Sequence, residues 1–127
     1  MLLIRTFVAP SSIHGLGVFA AEPIVKGDFV WTFDPVIDVE ITEAQMADLP
    51  DAAREVALAH SFINEDGRMI LSRDNAVFFN HSDDPNTLAG PDGNEALRDI
   101  AIGEELTESY RNFPSGACSA FLDQQLK

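Results

Sequence analysis

Apolar residues in this chain come in short bursts separated by turn formers, and the bursts follow the two-residue period of strands more than the period of helices. Leu2–Val8 is apolar with β-branched and aromatic members, and Gly17–Ala21 and Asp28–Phe33 follow, divided by Pro23 and the turn Lys26-Gly27. In Val36–Ile41 the apolar Ile37, Val39 and Ile41 share one face and Asp38 and Glu40 the other, which predicts a half-buried strand. Met69–Leu71, Ala76–Phe79, Asn94–Ile100 and Glu105–Ser109 read as further strands, with Asp66-Gly67 as a hairpin-type turn between Phe62-Ile63 and Met69-Ile70-Leu71.

Two short helices interrupt the strands. Thr42 and Gln45 have the spacing of a capping box, and Pro50 ends that turn. Asp51 is placed to cap a second helix, Ala52–Ala59, with Val56/Ala59 or Ala53/Ala57 on shared faces. Near the C-terminus Ser115 is placed to cap a helix carrying the pairs Ala117/Phe121 and Leu122/Leu126. The pattern predicts one mainly β domain over residues 1–127, with a helical insert near 42–59 (42–63 with its flank) and a closing segment at 111–127.

At 127 residues and 46% hydrophobic content, the chain is sized to bury one core. No apolar run approaches the ~20 residues of a membrane span, and the opening stretch carries Arg5 inside its apolar run, as a strand does and a signal peptide does not. A single cysteine, Cys118, excludes an internal disulfide and any multi-cysteine zinc site, which favours an intracellular, cytoplasmic setting. A secreted effector acting in a host nucleus fits the same residues.

The net charge of −13 is concentrated in two stretches. Residues 34–55 hold seven acids against Arg54, and residues 83–108 hold eight against Arg98. Such a surface repels nucleic acid and anionic membranes and attracts a basic partner. Solubility alone is the plainer explanation of the charge.

Chemistry concentrates in three places. Ile13-His14-Gly15-Leu16-Gly17 pairs two glycines at a strand-to-strand turn, where bare backbone can approach a ligand. Asn80-His81-Ser82, with Pro85-Asn86, follows an apolar run and offers an amide with both donor and acceptor. Gly103-Glu104-Glu105-Leu106-Thr107 leads to Tyr110, the one tyrosine of the chain. Each has a plainer reading when taken singly: a hairpin glycine pair, a turn-closing asparagine, a core aromatic. His81 lacks ligand spacing to His14 or His60, which argues against a metal.

Taken in order and at this spacing, the three segments resemble the motifs of the SET domain, the fold of S-adenosylmethionine-dependent protein lysine methyltransferases. The resemblance spans nearly the whole chain and implies a β-clip-like fold of small sheets, a threaded C-terminal segment and no zinc-binding module after the tyrosine. It implies that Gly15, Leu16 and Gly17 line the methionine end of S-adenosylmethionine. Asn80 and the backbone of His81 would hold its amino-acid and adenine parts, with Tyr110 and Phe113 also touching it. Tyr110 would be the catalytic residue. Trp31, Phe78, Phe79 and Phe113 would wall the channel for a substrate lysine, with Phe113 and the C-terminal helix standing in for the missing zinc module. No metal is implied. Asp83 and Val77 depart from the family pattern, which often has cysteine and arginine there, and no second tyrosine is present.

The implied partner is a basic, lysine-bearing protein segment such as a histone-like tail, docked beside the acidic stretches, with no direct contact to nucleic acid or membrane. Homodimerisation is open to so small a domain. Two other readings stay open at this point: a catalytically silent SET-like module that binds a peptide or S-adenosylmethionine, and a structural dimerisation β-domain.

Overall fold

The computed structural model describes residues 1–63 and 68–109. The Asp66-Gly67 turn, Tyr110, Phe113 and the helix expected from Ser115 lie outside the described residues.

The described chain builds four small sheets. β1 (Thr6–Pro10) and β2 (Leu16–Ala20) form an antiparallel hairpin. β3 (Phe29–Trp31) lies beside β9 (Gly93–Ala96), which also pairs with β8 (Thr87–Gly90). β4 (Asp38–Ile41) and β5 (Phe62–Ile63) flank β6 (Met69–Ser72). β7 (Asn80–His81) and β10 (Thr107–Glu108) make a two-residue parallel pair, Thr107 beside Asn80 and Glu108 beside His81. This is the mainly β architecture of small sheets that the patterning predicts, and α1 (Glu43–Asp48) and α2 (Asp51–His60) are its helical insert.

The core runs between the sheets. Val18 and Ala20 from β2, Val30 and Trp31 from β3, Ile70 from β6 and Ala96 from β9 meet Ile24, Ile100 and Leu106 from the connections. Ile24 and Ile100 exchange backbone hydrogen bonds of 2.9 and 2.8 Å, which pins the 100–106 segment to the β2–β3 connection. Leu106 N then donates to Val18 O and Gly103 N to Ala20 O, so the segment continues along β2 toward its glycines.

Local chemistry explains where the elements begin and end. Thr42 Oγ1 accepts from Gln45 N and Gln45 Oε1 from Thr42 N, the reciprocal pair expected of a capping box. α2 starts one residue earlier than expected, on Pro50 as N-cap, so Asp51 sits inside the first turn and makes no cap bond. Its acid still complements the helix N-terminus there. Ala57 is the buried residue of α2, whereas Val56 is exposed. Arg54 donates from Nε to Met46 O and from Nη2 to Ala47 O and Leu49 O, satisfying the last carbonyls of α1 and locking the two helices together.

Other elements correct the strand pattern. Residues 75–78 form a 3₁₀ helix (Asn75–Phe78) and not the start of a strand, because Asp74 caps it by accepting from Ala76 N. Asp38 is buried beside apolar neighbours although its alternation puts it on the wet face. Its carboxylate takes hydrogen bonds from Ser72 Oγ and Asp34 N, and the Met1 nitrogen lies 2.6 Å away. β1 starts at Thr6, while Leu2 forms a lone bridge with Trp31. β9 ends at Ala96, and β8 is an added strand joined to it through Pro91-Asp92. The strand expected over Glu105–Ser109 is shorter, Thr107–Glu108, with Glu105 bridged to Phe19.

Gly93 sits at φ +134, and a Cβ there would stand 2.1 Å from Trp31 O. Gly93→Ala is therefore expected to destabilise the fold by more than about 2 kcal/mol, through both the clash and the disfavoured backbone. Urea unfolding monitored by Trp31 fluorescence checks it; an unchanged midpoint would contradict the packing described.

Candidate functional site

Three separate stretches converge on one carboxamide. The 3₁₀ helix capped by Asp74 ends at Phe79 and delivers Asn80 to the start of β7, where it is buried. Asn80 Nδ2 stands 3.1 Å from His14 O, 3.2 Å from Leu16 O and 2.9 Å from Glu105 Oε2. Its two amide hydrogens are thus shared among three acceptors, and the β1–β2 loop is held against the strand. Glu105 completes the cluster by accepting from Ser11 Oγ at 2.7 and 3.0 Å.

The two loop glycines serve different ends. Gly15 takes φ +48, a turn conformation that favours glycine, and its oxygen receives Ser11 N at 2.8 Å. Gly17 has ordinary φ, although a pair of turn glycines would be expected to take positive φ at both positions, but a Cβ on it would lie 2.6 Å from Glu105 Oε2. What Gly17 supplies is room for that carboxylate.

A cavity of about 290 Å³ opens beside this cluster. His14, Gly15 and Leu16 form one wall, Asn80 and Phe79 another, and His60 and Phe78 a third. The volume is near the lower end of the about 300–1,000 Å³ usual for small-molecule sites. His60 Nδ1 is buried and finds no hydrogen-bond partner among the described residues. Exposed loop backbone and an amide around a mostly apolar cavity can receive a small ligand with both polar and apolar parts. A second cavity, about 570 Å³, adjoins it through His60, Val77 and Phe78 and runs along α2 past Ala53 and Val56 to Leu71.

Phe79 also lines a much smaller cavity of about 10 Å³, together with Trp31, Phe62, Ala76, Asn94 and Glu108. This cavity is held in place by Asn86, which is buried and clamps the final strand. Asn86 Oδ1 accepts from Thr107 N at 2.9 Å and its Nδ2 donates to Glu105 O at 2.7 Å. Glu108 is thereby turned inward, where Asn94 Nδ2 donates to its Oε2 at 2.8 Å. Burial pushes the Glu108 carboxyl up to about 7, against the smaller downward pull of the Asn94 bond.

The expected residues therefore divide. Gly15, Leu16, Asn80 and Phe79 share the cavity of about 290 Å³, while Gly17 and His81 do not line it. His81 Nε2 lies 3.0 Å from Asp83 Oδ1, and its ladder partner is Glu108. Trp31 and Phe79 wall the small cavity, but Phe78 faces the His60 side and is not part of it. Tyr110 and Phe113 lie outside the described residues. Sequence reasoning passed over Glu105, His60, Asn94 and Glu108. The one available signal was Glu108 itself, an acid in a segment otherwise placed to be buried. Among the described residues no group of three or more histidines, cysteines or acids is arranged to hold a metal.

The family model described as the SET domain matches residues 15–111. A crystal structure from Plasmodium falciparum of a "putative histone methyltransferase" is similar at 21% identity and a TM-score of 0.59, over 86% of this chain and 95% of that one. At that identity the likeness is one of fold. No curated protein matches the sequence.

Gly17→Ala is expected to displace the Glu105 carboxylate and cost roughly 1–3 kcal/mol. In the Glu105→Ala background the same change should cost at least about 1 kcal/mol less. A double-mutant cycle by chemical denaturation reads the coupling, and additive effects would refute the contact. For Glu108, the folded-state value of about 7 lies above the ordinary 4.5, so the native state binds the proton more tightly. Its contribution to stability is complete below about 4.5 and is lost as pH rises through about 7. Glu108→Gln should remove that loss, gaining about 3 kcal/mol relative to wild type on going from acid to alkaline pH. Parallel unfolding curves for the two proteins across that range would show the shift to be absent.

Proposed function

The chain belongs to the SET-domain family, and on that premise we propose that it is a protein lysine methyltransferase that moves a methyl group from S-adenosylmethionine to a lysine ε-amine in a basic segment. The observation that carries the reading is the cavity of about 290 Å³, which brings the Gly15-Leu16 loop and Asn80 together beside His60 and Phe78. When bound, the cofactor supplies an electrophilic methyl group on a sulfonium.

The residues of the chain do the rest by positioning. Loop backbone, held in place by the Asn80 amide, and the Asn80 carbonyl oxygen orient the amino-acid part, and His60 and Phe78 receive the base. Phe79 lines both this cavity and the small aromatic recess, and so stands where the cofactor and an incoming amine would meet. In-line displacement depends on alignment there above all. The apolar walls favour the neutral, nucleophilic form of the amine, because desolvation lowers a lysine pKa. Tyr110, two residues beyond Glu108, is the residue to which the family motif gives the catalytic hydroxyl.

The substrate is a basic segment, since the chain carries a net charge of −13 and exposed acids such as Asp51 and Asp84, each beside a single arginine. The acidic field argues equally against nucleic acid or anionic membrane as direct partners.

Calorimetric titration of the purified chain with S-adenosylmethionine tests the reading. Saturable binding is expected, weakened at least about tenfold (~1.4 kcal/mol) by Asn80→Ala. Tyr110→Phe is expected to keep the cofactor and lose methyl transfer to lysine-bearing basic peptides. Binding without turnover in wild type would instead mark a silent module, and no binding in either protein would leave the family likeness as fold alone.

A further inference from the structure

The small cavity between Trp31, Phe62 and Phe79 has the makings of a site for a single cation. Its volume of about 10 Å³ is that of one water-sized group, and a primary ammonium is such a group. Trp31 and Phe62 meet edge to face at 5.1 Å, so aromatic rings border the space on more than one side. Ring faces attract a desolvated cation. At one wall stands the Glu108 carboxyl, buried and oriented by Asn94. An aromatic enclosure closed by a carboxylate is costly to build unless a cation completes it.

The geometry points to Glu108 as the proton acceptor for the substrate amine. This rests on the methyltransferase reading and adds to it a catalytic group. The ammonium enters as the counter-ion of the carboxylate. Once both are stripped of water, an ion pair in an apolar enclosure gains little over the neutral pair, and the proton passes from nitrogen to oxygen. One N–H bond of the ammonium breaks and one O–H bond forms on Glu108. The nitrogen keeps the electron pair and uses it to take the methyl group from the sulfonium, whose sulfur retains the electrons of the broken carbon–sulfur bond as a thioether. The carboxylate is regenerated when its proton leaves to solvent after product release. A base whose affinity for the proton lies near neutrality is the efficient kind for this step, and burial gives Glu108 that character.

The groups around Glu108 leave it the acid–base centre of the recess. β9 brings neutral Asn94, with the neighbouring Glu95 exposed. β7 brings His81, engaged with Asp83, and β8 brings no titratable side chain. Behind Trp31, Ser72 links to Asp38, and behind Ala76 the Asp74 carboxylate caps the 3₁₀ helix and accepts from Leu2 N.

The test compares wild type, Glu108→Gln and Glu108→Asp as full chains. The probe is a synthetic pool of basic peptides with one lysine each. Calorimetry with S-adenosylmethionine comes first, and all three proteins are expected to bind it alike. In wild type, kcat should rise with pH through an apparent value near 7. Glu108→Gln should lose that limb and about a hundredfold or more in kcat, with peptide KM changed less than about threefold. Glu108→Asp should recover the limb at a reduced rate. Independently of turnover, carbon-13 NMR of labelled glutamate carboxyls should show one signal titrating near 7, absent from Glu108→Gln and shifted by the peptide pool. An unchanged pH profile and rate in Glu108→Gln overturns the proposal alone, as does a loss confined to KM, which would make Glu108 a cation-binding group only. Failure of wild type to bind the cofactor overturns the methyltransferase reading, and the base role falls with it.

Discussion

The hydrogen bond between Asn80 and Glu105 is the contact on which the site is organised. It joins the start of β7 to the segment that runs beside β2, and both ends are already committed elsewhere: Asn80 to the carbonyls of His14 and Leu16, Glu105 to Ser11. A partly buried carboxylate needs such donors, since an unpaired charge away from water is expensive. It also needs space, and the missing side chain of Gly17 provides it. One steric vacancy, one amide and one carboxylate thereby place three distant stretches of chain in a fixed relation. Each of the three motif segments contributes one of these parts.

Phe79 is shared by two cavities of different character. One is bordered by loop backbone and the Asn80 amide, and the other is a recess of aromatic rings with a single acid. The recess rests on the core through Trp31 and Ala76, and the other cavity rests on the loop that Asn80 holds. Precision at Phe79 comes from the 3₁₀ helix immediately before Asn80, whose cap by Asp74 fixes where the apolar run stops and the amide begins.

Much of the fold was legible because it follows from short-range rules. Thr42 and Gln45 form their reciprocal cap as the spacing requires, and the β1–β2 hairpin closes around Gly15. The errors fall where a long-range polar contact overrides a local pattern. Asp38 alternates like a solvent-facing residue but is buried by Ser72, a partner 34 positions away. Gly17 looks like a turn glycine but answers to Glu105, and no local rule links the two. The apolar residues before Asn80 read as a strand because the cap from Asp74 competes with that propensity through a side chain. Of the site, the loop glycines, Leu16 and Asn80 could be named from their motifs. His60 and Asn94 could not, because their significance lies in what surrounds them after folding, and Glu108 offered only the signal of an acid in a segment otherwise placed to be buried.

The parallel pair of β7 and β10 has a consequence for how the molecule comes into being. Its two strands are separated by the whole β8–β9 hairpin and the return through Ile100, so its registry closes one of the long loops of the chain. Contacts of that kind reward the chain only after the entropy of closing the loop has been met, and they tend to form late. Both cavities depend on them, because Asn80 and Glu108 reach their places through this pair. A nascent chain whose leading segments have already collapsed would therefore have a core but no site. Binding competence would arrive in a single final step, with the emergence and docking of the stretch from Gly103 to Glu108.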